Sequence, residues 1–226
     1  MKKLVIILLS IICIIPIAGC TKKDAKKFKE EYESLNNTTN ASGKIIREVN
    51  IDKNNPFVYK DAEDIVTMIK NKETFVVYFG FSTCPWCRSM IENLIKAAKD
   101  TNTKTIYYVD VLNIRDVIKV DSTGTVYKET EGDTYYMQLL SLIGDVLEDY
   151  TLTNGGKEIK TGEKRIYAPN VVVIENGKAI TMTTGISNSQ KDAYMELTEE
   201  INNESYSMLK EALNSLNNTC TKEGAC

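Results

Sequence analysis

The rhythm of apolar and polar positions changes several times along the chain. Leu4 to Ile17 is an almost unbroken apolar run. Residues 21–43 are polar, with Phe28, Tyr32 and Leu35 alone at helical spacing. That spacing predicts a short helix over 24–36, here read as part of a polar tether spanning 20–43. Residues 44–51 are expected to form a first strand. Asp61 can cap a helix whose inward stripe is Ile65, Val66 and Ile69. Thr74 to Phe81, mostly β-branched and aromatic, reads as a strand covered on both faces. The helical stripe Met90, Ile91, Leu94, Ile95 and Ala98 follows, and then a second buried strand over 105–111. Strand, helix and strand of these lengths make a βαβ unit with a right-handed crossover.

Residues 112–164 carry a weaker pattern. Leu139, Leu140, Ile143, Val146 and Leu147 predict a helix within 135–150. Asn154-Gly155-Gly156 reads as a turn between short extended pieces. Beyond it, Val171 to Ile174 and Ala179 to Thr183 flank Asn176-Gly177, a strong hairpin signal. Helices are expected from Gly185 to about Leu216, with a break near Asn202-Asn203. The order of elements is that of an α/β domain over 44–217, interrupted by an insertion at 112–164.

Composition narrows the function. The 226 residues are 42% hydrophobic and 26% charged, enough to bury a core without disulfide staples. The net charge of −3 offers no basic footprint for nucleic acid. There is no histidine. Imidazole bases, Ser-His-Asp triads, Cys-His dyads and His-ligated metals are thereby excluded. Six cysteines in such a chain need a chemical reason.

Lys2 and Lys3 ahead of the first apolar run, and small residues after it, make residues 1–19 a secretory signal peptide. The alternative is a retained anchor helix. Ile17-Ala18-Gly19-Cys20 resembles a bacterial lipobox. That resemblance implies cleavage before Cys20, diacylglycerol on its sulfur and a palmitate-type acyl chain on its amine. The mature protein would then be lipid-anchored on the outer face of the cell membrane. Abundant Lys, Asn and Ile fit a Gram-positive source. Removing Lys2 and Lys3 leaves 26 basic against 31 acidic residues, a net charge of −5. Cys84, Cys87, Cys220 and Cys226 remain as thiols, in a compartment where disulfides persist.

Cys84-Pro85-Trp86-Cys87 ends a strand and opens a helix. Disulfide exchange starts from a thiolate, and a helix N-terminus stabilises one. Cys84 is the expected exposed nucleophile. Cys87, one turn inside, is the expected resolving thiol. Pro85 suits the first helical position, and Trp86 offers an apolar face for substrate or a shield for the sulfur. A structural Cys84–Cys87 disulfide, or a zinc site using all four thiols, is the competing reading of the pair. Cys220 and Cys226 close the chain, either as a small structural disulfide or as a second redox pair.

Phe79-Gly80-Phe81-Ser82-Thr83-Cys84-Pro85-Trp86-Cys87 resembles the active-site stretch of thioredoxin-fold proteins. Ile166 to Lys178 is similar to their cis-proline, strand and hairpin segment, and Thr184-Gly185-Ile186 to the glycine after their last strand. The resemblance covers 57–111 and 165–216. It implies a thioredoxin-like mixed central sheet flanked by helices, with the insertion before the cis-proline strand. It makes Cys84 and Cys87 a redox-active pair and Pro169 a cis-proline. Ala168 would then pair with an extended substrate segment, and Gly185 would let substrate backbone come close.

The implied activity is protein thiol–disulfide exchange with secreted or surface proteins, without cofactor or metal. A membrane or extracytoplasmic redox partner would regenerate the pair. The competing reading is a non-enzymatic lipoprotein that uses the same fold to bind a partner through 112–164. One position departs from the family. Thioredoxins carry a buried acid six residues before the first active-site cysteine, where this chain has Tyr78. Glu73 and Glu92 are the carboxylates considered in its place.

Overall fold

The computed structural model describes residues 18–223, with side chains over 22–216. Most of residues 1–19, expected to be a signal peptide, and the sulfurs of Cys20, Cys220 and Cys226 therefore lie outside the described residues. Among the described residues, no helix is long and apolar enough to cross a membrane.

The domain is mixed α/β. Five strands form a central sheet in the order β1 (Phe57–Tyr59), β3 (Ile106–Asp110), β2 (Phe75–Gly80), β8 (Asn170–Glu175), β9 (Lys178–Thr183). β1, β3 and β2 run parallel, while β8 and β9 join antiparallel. β2 lies at the centre with every residue buried. Its alternation sorts side chains to opposite faces. Val76 and Tyr78 join the core beneath α1 (Ala18–Glu33), α3 (Pro85–Asp100) and α5 (Glu199–Glu223). Phe75, Val77 and Phe79 join the core beneath α2 (Ala62–Lys70) and α4 (Thr134–Ile143).

Several predicted elements fall where expected. The Asp61 carboxylate caps α2 by accepting from the Asp64 amide. The β8–β9 turn has Asn176 and Gly177 both at positive φ, the geometry that matches strand twist. A side chain at Gly177 would also meet the Ile69 carbonyl at 2.2 Å, so the turn packs against the end of α2.

Four expectations are corrected. Residues 44–51 form no strand; one isolated bridge pairs Ile45 with Thr39. The helix expected over 24–36 is present as α1, but residues 20–33 are no polar tether, because α1 buries Ala25, Phe28 and Tyr32 in the core. Arg88 of α3 fixes the chain that follows, donating to the carbonyls of Tyr32 and Arg47 and to Asn36 Oδ1. The helix expected within 135–150 stops at Ile143 and passes through a single 3-10 turn, Gly144–Val146. Finally, 184–198 is largely irregular, whereas α5 runs unbroken through Asn202 and Asn203. Asn202 lies in the first turn of α5, where its side chain satisfies the Leu197 and Thr198 carbonyls. An asparagine favours such an end position over a helix interior.

The insertion is built largely from local pairings. β4 (Val117–Val120) pairs with β5 (Val126–Thr130), and β6 (Asp149–Asn154) pairs with β7 (Lys157–Lys164). A buried ion pair between Arg165 and Asp116 joins the two ends of the insertion.

Candidate active site

β2 delivers the chain to a turn at Phe81–Thr83, and Cys84 becomes the N-cap of α3. Pro85 occupies the first helical turn, as its missing N–H allows. The Cys84 sulfur accepts the Cys87 amide at 3.4 Å. Its thiol also faces the Ala168 carbonyl at 3.2 Å, just ahead of the neighbouring strand β8. The Ala168–Pro169 peptide is cis. Both cysteines are free thiols.

Cys84 is less exposed than expected, at 5%, and Cys87 is fully covered. Phe81, Trp86 and Ala168 pack on the same core cluster, and the Cys84 sulfur turns toward Ala168 rather than outward. The two sulfurs differ in acidity more than in exposure. A hydrogen bond from Cys87 holds the Cys84 thiol below its ordinary range, against the opposing effect of burial. The amides of Cys87 and Trp86 and the charge of Arg115 add to the lowering. Burial pushes the Cys87 thiol well up, and Cys84 raises it further. Hydrogen bonds from Tyr78 and the Phe81 amide act in the other direction. An acidic outer sulfur and a reluctant inner one form an asymmetric dithiol.

The structure brings Cys84, Trp86, Cys87, Ala168 and Pro169 together. Gly185 is buried, and a side chain there would meet Leu209 of α5 at 2.7 Å, a residue of the same core cluster as the two cysteines. Glu73 and Glu92 do not serve the sulfurs. Both are exposed, and the Glu92 carboxylate accepts from the Asn50 amide. Among the described residues, no group of three or more Cys, Asp or Glu is placed to hold a metal ion.

Two neighbours of the site escaped the sequence reading. Tyr32 reaches Tyr78 beneath Cys87, with the hydroxyls 2.9 Å apart. Its signal was the Phe28–Tyr32 spacing, assigned to a tether. Arg115 comes from the insertion and lies over the Phe81 ring at 5.3 Å, acting electrostatically on Cys84. Nothing in the pattern of 112–164 marks it. No protein-family model matches this chain, and no curated protein matches its sequence.

Proposed function

We propose that this chain is a thioredoxin-like thiol–disulfide oxidoreductase, held by lipid on Cys20 at the outer face of a bacterial membrane. Its substrates are secreted or surface proteins. The reading rests above all on the Cys84 sulfur, which sits at the start of α3 with its ionised form favoured and Cys87 one turn behind. The thiol pair at the end of a central strand, opposite a cis-proline loop, supports the fold assignment.

The Cys84 thiolate attacks a substrate disulfide. One substrate sulfur leaves with the electron pair, and the other becomes bonded to Cys84. Cys87 then attacks the Cys84 sulfur, and the second substrate sulfur leaves. The substrate disulfide ends as two thiols, and the Cys84–Cys87 dithiol as a disulfide. Run backward, the same steps oxidise a substrate. The helix N-terminus favours the charged sulfur in both directions.

A Cys87→Ala variant expressed in cells should accumulate envelope proteins covalently bound through Cys84, and dithiothreitol should release them. A Cys84→Ala variant should reduce no insulin. Absence of thiol-sensitive adducts on the Cys87 variant, together with a Cys84–Cys87 potential below about −300 mV, would favour a structural pair instead.

A further inference from the structure

Cys87 has to become negatively charged while it attacks, yet it is fully covered, and burial and Cys84 both oppose its ionisation. Tyr78 shares its buried cluster, and the Tyr78 hydroxyl and the Phe81 amide act to favour its ionised form. Three separate parts of the chain hold that hydroxyl in place. Tyr78 projects from β2 toward α3, and the Tyr32 hydroxyl of α1 stands 2.9 Å from it. The Tyr108 ring stacks on the Tyr78 ring, with centroids 5.5 Å apart. Gly80 makes the necessary room: a Cβ there would stand 2.3 Å from the Tyr78 hydroxyl oxygen and 2.4 Å from its ring carbon. Burial keeps the Tyr78 phenol protonated well above the ordinary tyrosine range, so it is a donor and no base.

We infer that Tyr78 is a catalytic residue of the exchange, donating a hydrogen bond from its hydroxyl to the Cys87 sulfur as that sulfur gains negative charge. Tyr32 is a positioning residue: either hydroxyl of the 2.9 Å pair can be the donor, and with Tyr32 donating to the Tyr78 oxygen the Tyr78 proton is left for Cys87. The inference rests on the oxidoreductase reading. In the resolving step the Cys84–Cys87 bond forms and the bond from Cys84 to the substrate sulfur breaks. The substrate sulfur takes the electron pair. It also takes the proton that Cys87 gives up, because a thiolate leaving into solvent has an ordinary affinity for it. Tyr78 keeps its own proton throughout. In the oxidising direction the same hydroxyl stabilises Cys87 as the leaving sulfur.

The test uses the reduced full chain and oxidised glutathione. Samples are acid-quenched over time, and peptide mass spectrometry counts glutathionyl-Cys84 and the Cys84–Cys87 disulfide separately. In Tyr78→Phe the glutathionyl-Cys84 species should form at the wild-type rate. It should decay roughly 10- to 100-fold more slowly, the worth of one hydrogen bond to a charged group. Its decay should also require higher pH. Tyr32→Phe should show the same upward pH displacement with a smaller slowing. A merely structural role would leave the pH midpoint in place. Decay of the adduct at the wild-type rate and pH in Tyr78→Phe overturns the inference and leaves the oxidoreductase reading standing. Absence of any Cys84 adduct in the wild-type protein overturns both.

Discussion

The stretches at 18–51 and 112–164 join the domain in opposite ways. The first is part of the core. Phe28 and Tyr32 are fully buried, Phe28 stacks on Phe57 with centroids 4.0 Å apart, and Arg88 binds the chain that follows. The second is mostly self-paired. Its strand β4 buries only Ile118, and it is attached through the inner face of α4, through Leu147 and through the Arg165–Asp116 pair at its base. Each stretch nonetheless serves one sulfur. The N-terminal helix stands behind Cys87 through Tyr32 and Tyr78, while the insertion brings Arg115 to Cys84. The inner thiol's surroundings are thus tied to global stability. The outer thiol's acidity can be adjusted with little cost to the core.

The contrast can be broken most forcefully at Phe28. Phe28→Ala empties a fully buried aromatic site and should lower stability by about 3–5 kcal/mol. Denaturant unfolding should show one transition at lower midpoint. A loss confined to α1, with the rest of the domain unchanged, would mean that the helix is an appendage after all.

Asp116→Ala should cost about 3 kcal/mol, by leaving the largely buried Arg165 without its carboxylate. Here the damage should be local. Hydrogen exchange should quicken in β4 to β7, while β2 and β8 stay protected. Equal loss of protection in β2 would show the insertion to be as integral as α1.

Arg115→Gln should have the smallest effect, because hydrogen bonds outrank its charge in lowering Cys84. Removing the positive charge disfavours the thiolate, so the pH midpoint for alkylating Cys84 should rise. A midpoint that stays put or falls would remove Arg115 from the site.

What the sequence made legible follows the same division. Val76, Tyr78 and the apolar run around them identified the central strand, because a strand buried on both faces leaves little else to read. The α3 stripe and the Asn176-Gly177 turn were equally plain. α1 was legible as a helix but not as part of the core, because Lys and Glu cover most of its surface and only a narrow stripe turns inward, where Phe28 and Tyr32 meet the core. The β6–β7 hairpin was legible from its Asn154-Gly155-Gly156 turn, where both glycines have positive φ. The β4–β5 hairpin was not, because β4 buries only Ile118 and β5 buries no residue, which leaves no apolar face to read. At the site, Cys84 and Cys87 could be found from spacing alone. Tyr32 and Arg115 could not, since each reaches the sulfurs only through the tertiary fold.

Cys84 is an activated thiol and Cys87 a suppressed one. Alkylating the reduced protein with iodoacetamide across pH, and reading each cysteine by mass spectrometry, separates the two. Cys84 is favoured as thiolate, so its rate should rise with pH below the range of a free cysteine thiol, near 8.5. Cys87 should stay unmodified until the protein unfolds. If both cysteines were alkylated together with the pH dependence of a free thiol, that asymmetry would be contradicted.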